Sequence, residues 1–270
     1  MTNPFEPIPA KLEEVIQETP TIKTFVLTPE KPIIFRAGQF VQVTVPGMGE
    51  APFTPSSSPL DKSKLEVTVL KTGKVTDALH ELEAGATLGV RGPFGKGYPI
   101  DKFDGKEVLV VGGGVGLAPL RSLLYQLFAD IDKLKRVSIK YGARTPDELL
   151  YNRQFDEWRS KDKVDFTETI DVPAQGWSGN VGLVTTLLDN LDVDIPNSYM
   201  VSCGPSVMLR FVTLKCLDLG YDSTQIYLSM NRKMSCGMGK CGRCNIGPYF
   251  LCKDGPDMCY DKIKDYPNVF

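Results

Sequence analysis

Near its C-terminus the chain reads Cys236-Gly-Met-Gly-Lys-Cys241-Gly-Arg-Cys244, and Cys252 follows a short way on. Four of its seven cysteines therefore lie within 17 residues. The spacing C-x4-C-x2-C with a later fourth cysteine is the plant-type arrangement for a [2Fe–2S] cluster. This constrains the whole chain, because a one-electron centre obliges the rest of the protein to deliver or collect electrons singly. Gly237, Gly239 and Gly242 between the ligands let the loop wrap tightly and let backbone N–H groups reach the sulfurs. A structural zinc site of four cysteines competes with this reading. Zinc knuckles usually present two C-x2-C pairs, and only one is found here. Cys236, Cys241, Cys244 and Cys252 are the expected ligands. Cys252 precedes the turn Lys-Asp-Gly-Pro, and Cys259 is the alternate fourth ligand. Cys216, within an apolar helix, reads as a buried small hydrophobe.

With 270 residues the chain is long enough for two domains and a small appendage. Its 31 Lys and Arg against 33 Asp and Glu give a net charge of −2, which argues against a nucleic-acid partner. The N-terminus has no apolar run and no signal peptide. The most apolar stretch, Val108 to Leu120, is too short and too glycine-rich to span a membrane. A cytoplasmic, reducing location is expected, in which clustered cysteines read as metal ligands before disulfides. The single histidine, His80, leaves little room for His-dependent hydrolase chemistry. It falls in a short predicted helix and is expected at the surface.

The hydrophobic rhythm divides the chain in three. Residues 1–102 carry short alternating runs, among them Thr24-Phe-Val-Leu-Thr, Gln39-Phe-Val-Gln-Val-Thr-Val and Leu65-Glu-Val-Thr-Val-Leu. Pro, Gly and Ser punctuate them, which predicts a small antiparallel barrel. Residues 103–225 alternate buried-type strands, at Glu107–Val111, Arg136–Tyr141 and Tyr199–Ser202, with helices at Leu117–Phe128, Val184–Leu191 and Ser206–Leu219. That alternation predicts an α/β domain on a parallel sheet covered on both faces. Residues 226–270 hold the cysteines and show little regular structure.

Two glycine-bearing strand ends stand out in the middle segment. Gly112-Gly-Gly-Val-Gly-Leu-Ala-Pro119 follows an apolar strand and opens a helix, the context in which backbone N–H groups cradle a pyrophosphate. Pro119 stands where G-x-G-x-x-G would have its third glycine, so a plain tight turn competes. Cys203-Gly204-Pro205 ends a second strand and opens a second helix, and ligands of open parallel sheets sit beyond such strand ends. A nicotinamide gives up a hydride, whereas the cluster takes one electron. A flavin converts between the two, and its place would be the barrel. Ala51-Pro-Phe-Thr-Pro-Ser-Ser-Ser offers an apolar wall and hydroxyls. Lys71-Thr-Gly-Lys-Val-Thr76 offers cations and a hydroxyl at a helix start. An ordinary Pro/Ser loop and an N-capping threonine are the alternatives.

Together these motifs resemble the ferredoxin–NADP reductase-like family over nearly the whole chain. The similarity is greatest to its flavin and iron–sulfur electron-transfer subunits, including those of dihydroorotate dehydrogenase, anaerobic sulfite reductase and sulfhydrogenases. The resemblance implies an FAD-binding barrel, an NAD(P)-binding α/β domain and a [2Fe–2S] lobe. It also implies an electron-transfer subunit that joins a separate catalytic subunit in a hetero-oligomer. It places Pro52, Phe53, Thr54 and Ser57 along the flavin ring and ribityl chain, and Gly73, Val75 and Thr76 at the FAD pyrophosphate. Gly113, Gly114, Gly116 and Pro119, with Cys203, Gly204 and Pro205, would hold the nicotinamide nucleotide. Relatives often carry Arg-x-Tyr-Ser at the flavin, where this chain has Ala51, Phe53 and Thr54, which leaves FAD and FMN both open. Arg144, Asp147 and Glu148 leave NADH and NADPH open in the same way. A stand-alone NAD(P)H:ferredoxin-type reductase and a non-enzymatic redox sensor are the competing functions.

Overall fold

The computed structural model describes residues 3–270. Six antiparallel strands form the first sheet: β1 (Ile8–Thr19), β2 (Ile22–Pro29), β3 (Phe40–Val45), β4 (Gly49–Phe53), β5 (Leu65–Leu70) and β6 (Thr87–Phe94). Between β5 and β6 lies the short helix α1 (Lys74–His80). The strand order is β4-β3-β6-β1-β2-β5. A bridge between Pro55 and Val67 ties the chain just past β4 to β5, so the two edges meet and the sheet closes as a barrel. Leu12, Phe25, Leu27, Val41, Val43, Val67, Leu88 and Val90 fill it.

The second sheet comprises β7 (Glu107–Gly113), β8 (Arg136–Ala143), β9 (Val164–Ile170), β10 (Asn180–Val181), β11 (Ser198–Cys203), β12 (Ile226–Ser229) and β15 (Asp257–Cys259). Helices α2 (Leu117–Ala129), α3 (Phe155–Arg159) and α4 (Ser206–Asp218) accompany it. The order is β10-β9-β8-β7-β11-β12-β15, with every pair parallel except β12–β15. Alternate residues of β7 serve opposite faces: Val108 and Val110 pack with Leu120, Leu123 and Leu124 of α2, while Leu109 and Val111 pack with Leu209 and Val212 of α4.

The chain runs outward from β7 through β8 to β10, then returns and runs the other way through β11 and β12. The switch point therefore lies between β7 and β11. An open α/β sheet binds ligands at that point, beyond the carboxyl ends of the strands.

Residues 226–229, grouped with the cysteine segment on sequence, form a parallel strand of the sheet. β15, from beyond the cysteines, pairs antiparallel at its edge. Between them lie the hairpin β13 (Asn245–Ile246) and β14 (Tyr249–Phe250) and the single turn α5 (Leu251–Asp254). Cys244, Ile246, Leu251 and Cys252 share one hydrophobic cluster with Leu109, Met200 and Leu228, so the cysteine segment is continuous with the α4 face of the sheet.

Two expectations are corrected. His80 is buried rather than at the surface, 6% exposed. Its Nε2 meets the Val69 carbonyl at 2.9 Å and its ring stands edge-on to Phe25. The helix expected over Val184–Leu191 is a 3-10 segment of five residues, Val184–Leu188. The β-branched Thr185 and Thr186 disfavour an α-helix, and the run of Asp, Asn and Pro that follows halts propagation.

Candidate redox site at the switch point and the cysteine loop

The nucleotide loop is built by close backbone approach. β7 ends at Gly113, and a 3-10 turn, Gly114–Gly116, leads straight into α2. A Cβ on Gly116 would fall 2.3 Å from the Cys203 carbonyl oxygen, so only glycine lets the two strand-end loops touch. Beside Gly114 the space is open, and its backbone can meet a ligand. Neither α2 nor α4 has a side-chain cap, which leaves first-turn N–H groups of both helices without that partner. The Tyr141 hydroxyl donates to Gly114 O and accepts from the Leu150 N–H, pinning the loop. Gly113, Gly114, Gly116, Cys203, Gly204 and Pro205 thus meet at the switch point. Pro119 stands in the first turn of α2, and Arg144 is exposed past the end of β8.

On the barrel, Pro52 and Phe53 are half-buried at the end of β4 and Thr54 follows them. The Val75 side chain lies against Gly49, at the start of β4, so α1 and β4 form one wall. Gly73, not Thr76, caps α1. Thr76 Oγ1 accepts from the N–H groups of Thr72 and Gly73 and donates to Gly73 O, fixing the turn from inside the helix. No atom lies near a Cβ built on Gly73, so its backbone faces open space, as a pyrophosphate site requires. Ser57 is buried, and its Oγ accepts the Glu66 N–H, which ties the Thr54–Ser58 loop to β5.

The cysteine loop gathers four sulfurs. Cys236 Sγ accepts from the N–H groups of Met238 at 3.4 Å and Lys240 at 3.3 Å; Cys252 Sγ accepts from Gly239 N–H at 3.1 Å. Burial opposes ionisation of Cys236, but the N–H groups of Cys241, Met238 and Lys240 outweigh it and bring the thiol down to about 6. Burial, with the neighbouring Cys244 and Cys236, pushes Cys252 up to about 12. Cys236 faces Cys241, and Cys252 faces Cys244. Among the described residues no three His, Cys, Asp or Glu side chains are set to hold a single metal ion. Cys252 also neighbours Cys236, so the thiols converge, and four cysteine donors fit a [2Fe–2S] group, which takes two thiolates on each iron. Cys259 lies apart, with its Sγ 3.6–3.7 Å from the carbonyls of Thr224 and Ser223.

Sequence reasoning missed what joins these parts. The barrel end Phe94–Tyr98 packs on the cysteine segment: Lys96 N–H donates to Gly255 O at 2.7 Å, and a Cβ on Gly237 would strike the Phe94 ring. Arg91, buried, grips Glu50 with two bonds of 2.6 and 2.9 Å and reaches the Cys236 and Ser235 carbonyls at 3.5 Å. Asp257 sits where barrel, sheet and cysteine segment meet. Both its carboxyl oxygens and the Tyr98 hydroxyl are buried without a hydrogen-bond partner. Burial raises Asp257 to about 8, and the Ser229 and Tyr98 hydroxyls face it. Gly38 makes room for it, since a Cβ there would fall 2.0 Å from Asp257 Oδ2. The neighbouring Cys203 thiol is pushed by burial up to about 12. Gly38, Tyr98, Cys203, Ser229 and Asp257 come from separate segments of the sequence, and no short motif announces their meeting.

The fold and these paired sites define a flavin- and nicotinamide-dependent oxidoreductase. Residues 9–98 match the oxidoreductase FAD-binding domain and residues 110–213 the oxidoreductase NAD-binding domain. The chain is 32% identical to sulfhydrogenase 1 subunit gamma of Pyrococcus furiosus, over 99% of this chain and 95% of that one. It is 33% identical to the probable dihydroorotate dehydrogenase B (NAD(+)) electron transfer subunit of Methanocaldococcus jannaschii, over 96% and 92%. Among solved structures, an NADH-dependent reduced ferredoxin–NADP oxidoreductase superposes with a TM-score of 0.77 at 27% identity, covering 94% of this chain and 91% of that one. A ferredoxin–NADP+ reductase from Neisseria gonorrhoeae shares the fold, with a TM-score of 0.72 at 22% identity over 82% and 96%. The chain belongs to the ferredoxin–NADP reductase-like family of electron-transfer subunits. No helix among the described residues is long and apolar enough to cross a membrane.

Proposed function

We propose that this chain is the electron-transfer subunit of a multi-subunit cytoplasmic oxidoreductase, moving electrons between NAD(P)H and a partner catalytic subunit. Residues 1–102 hold FAD, residues 103–225 the nicotinamide nucleotide, and residues 226–270 a [2Fe–2S] cluster. The observation that carries this reading is adjacency: the barrel end Phe94–Tyr98 touches the cysteine segment, and Asp257 joins that contact to the switch point. The two strand-end loops and the uncapped first turns of α2 and α4 bind the nucleotide phosphates. Pro52, Phe53 and Thr54 wall the flavin ring, and the turn at Gly73, Val75 and Thr76 holds its pyrophosphate. Cys236, Cys241, Cys244 and Cys252 ligate iron, and the N–H groups of Met238 and Lys240 favour Cys236 as a thiolate. When bound, flavin and cluster together supply the conversion between one hydride and two single electrons. Cys203, its proton retained at neutral pH, lines the switch point without adding charge beside the nicotinamide.

The relatives named as sulfhydrogenase and dihydroorotate dehydrogenase subunits support a partner, and the clustered thiols support a reducing compartment. Reconstitution with flavin and iron, followed by optical and EPR spectra after NADH or NADPH, tests the reading. A bleached flavin and a reduced-cluster EPR signal are expected. A flavin-free, EPR-silent protein that retains zinc would sink it.

A further inference from the structure

Beside the nucleotide loop, polar side chains that the redox site leaves unused tie the α/β domain to the barrel. Arg121 lies on α2, just past Pro119, and is buried. Its Nη1 donates to Glu66 Oε2 on β5 at 2.7 Å and to the Ser56 carbonyl at 3.3 Å. Its Nε donates to Gln154 Oε1 at 2.8 Å. The guanidinium carbon stands 4.4 Å from the centre of the Tyr151 ring and 5.1 Å from that of Tyr125. The Tyr151 hydroxyl shares a hydrogen bond of 2.5 Å with Thr68 Oγ1, also on β5. Tyr151 does so from a left-handed backbone conformation, φ 59°, which a bulky side chain rarely adopts. Arg153 makes a further link, to Glu18 near the end of β1, at 2.5 and 2.8 Å.

These links differ in what they hold. Ser56 belongs to the loop that follows the flavin wall Pro52–Thr54, and Glu66 secures that loop. Glu66 O accepts the Ser56 N–H at 2.8 Å, and Glu66 N–H donates to Ser57 Oγ at 3.1 Å. Arg121 sits on the helix whose first turn faces the nucleotide site. One guanidinium therefore bridges the two segments that must place hydride donor and acceptor. A buried ion pair is a poor device for stability alone, because desolvation offsets much of the attraction. Its advantage is direction. A planar fork satisfied by acceptors on β5, on the loop and on the segment after β8 fixes one arrangement, which the point charge of a lysine does not. Arg153 is half exposed, and its side chain bonds Glu18 and neither of the two segments.

We infer that Arg121 is a positioning residue for hydride transfer, holding the Ser56 loop against α2 so that the flavin and nicotinamide sites keep a fixed separation. The inference rests on the relay proposed above. NADH is oxidised and the flavin reduced in that step, while Arg121 keeps its proton throughout and acts only through the loop and the helix.

The test uses the flavin-loaded full chain and follows flavin bleaching by NADH in rapid mixing, beside NAD+ affinity by calorimetry. Arg121→Met and Glu66→Gln are each expected to slow bleaching at saturating NADH roughly tenfold or more, with NAD+ affinity within about threefold of the parent. Arg121→Lys, which keeps the charge but not the fork, should recover little of the rate. The Arg121→Met, Glu66→Gln double variant should be about as slow as either single one, because the two side chains act as one latch. Arg153→Gln, which cuts a link between the same domains elsewhere, should bleach within about twofold of the parent. In the flavin-free protein, the Ser56 and Glu66 amides should exchange with solvent faster in Arg121→Met than in the parent. Bleaching at the parent rate in the Arg121 and Glu66 variants would overturn the inference. So would a loss of rate matched by an equal loss of NAD+ affinity and reproduced by Arg153→Gln, which would make the ion pair general support between the domains. A chain that takes up no flavin would count against the relay instead, while amide exchange would still decide whether Arg121 holds the loop.

Discussion

Two thiols of this protein, Cys236 in the cysteine loop and Cys203 at the three-way junction, hold their protons in opposite ways. In the cysteine loop, N–H groups converge on Cys236 and bring it down to about 6, despite partial burial. At the three-way junction, Cys203 and Asp257 receive no comparable donors; burial dominates and pushes them up to about 12 and about 8. The loop is glycine-rich and turns its amides inward, while the junction is made of strand ends whose amides are committed to the sheet. The first arrangement favours an anionic Cys236, the form a metal would need. The second keeps acids neutral where a nucleotide and a flavin would meet. The difference teaches that burial alone does not set ionisation here: converging backbone amides outweigh it at Cys236, whereas the single Gly239 amide does not at Cys252.

The most severe way to break the contrast is to remove a sulfur from the loop. Cys252 is fully buried, accepts the Gly239 N–H and faces Cys244. Cys252→Ser should abolish the visible absorption and the EPR signal of the reconstituted cluster, with flavin absorption kept. A Cys252→Ser protein with full iron and sulfide content would overturn the ligand set.

Next in size comes the junction acid. The Asp257 carboxyl binds its proton more tightly in the folded chain than in the unfolded one, rising from 3.8 to about 8. As pH climbs from about 4 to about 8 the unfolded chain ionises first, so this residue withdraws stability across that window. At about 1.4 kcal/mol per pK unit the cost approaches about 5 kcal/mol as an upper bound. Asp257→Asn should therefore melt close to the parent at pH 4 and higher than it at pH 8. Parallel melting curves at all pH values would show that the carboxyl is not held neutral.

How much of this was legible in the sequence depended on the distance over which the signal runs. The β7 strand, its glycine loop and α2 follow one another directly, and the apolar run and the helical period mark them without tertiary information. The cysteine loop is equally local. Asp257, Tyr98, Ser229 and Cys203 are brought together only when the barrel, the sheet and the edge strand β15 close on one another, and nothing local to any of them marks that meeting. His80 misled differently: a polar residue in a short helix reads as exposed, until Val69 O on the preceding strand β5 supplies its partner. The 3-10 segment at Val184 shows the reverse limit, where an apolar period exists but the local β-branched residues prevent an α-helix.

A smaller effect tests the junction from its backbone side. Gly116→Ala would place its methyl 2.3 Å from the Cys203 carbonyl, which is main chain and cannot swing aside. Overpacking against a fixed wall costs about 1–3 kcal/mol. The expected result is a lower melting temperature together with weakened NADH binding. Normal NADH affinity in Gly116→Ala would mean that contact between the two loops does not shape the nucleotide site.

The smallest expected effect is the most discriminating. Cys259 has the sequence position of a fourth ligand but sits on β15, paired with Tyr227, with its sulfur facing the carbonyls of Ser223 and Thr224. The β12–β15 pairing fixes that side chain in register, and a strand residue cannot turn to the opposite face without a register slip. Cys259→Ser keeps a donor for the same carbonyls and leaves the paired sulfurs intact. Stability should change by no more than about 0.5 kcal/mol, and cluster colour, EPR signal and iron content should match the parent. Loss of the cluster in Cys259→Ser with retention in Cys252→Ser would exchange the two residues' roles, and would require β15 to leave the sheet when iron binds.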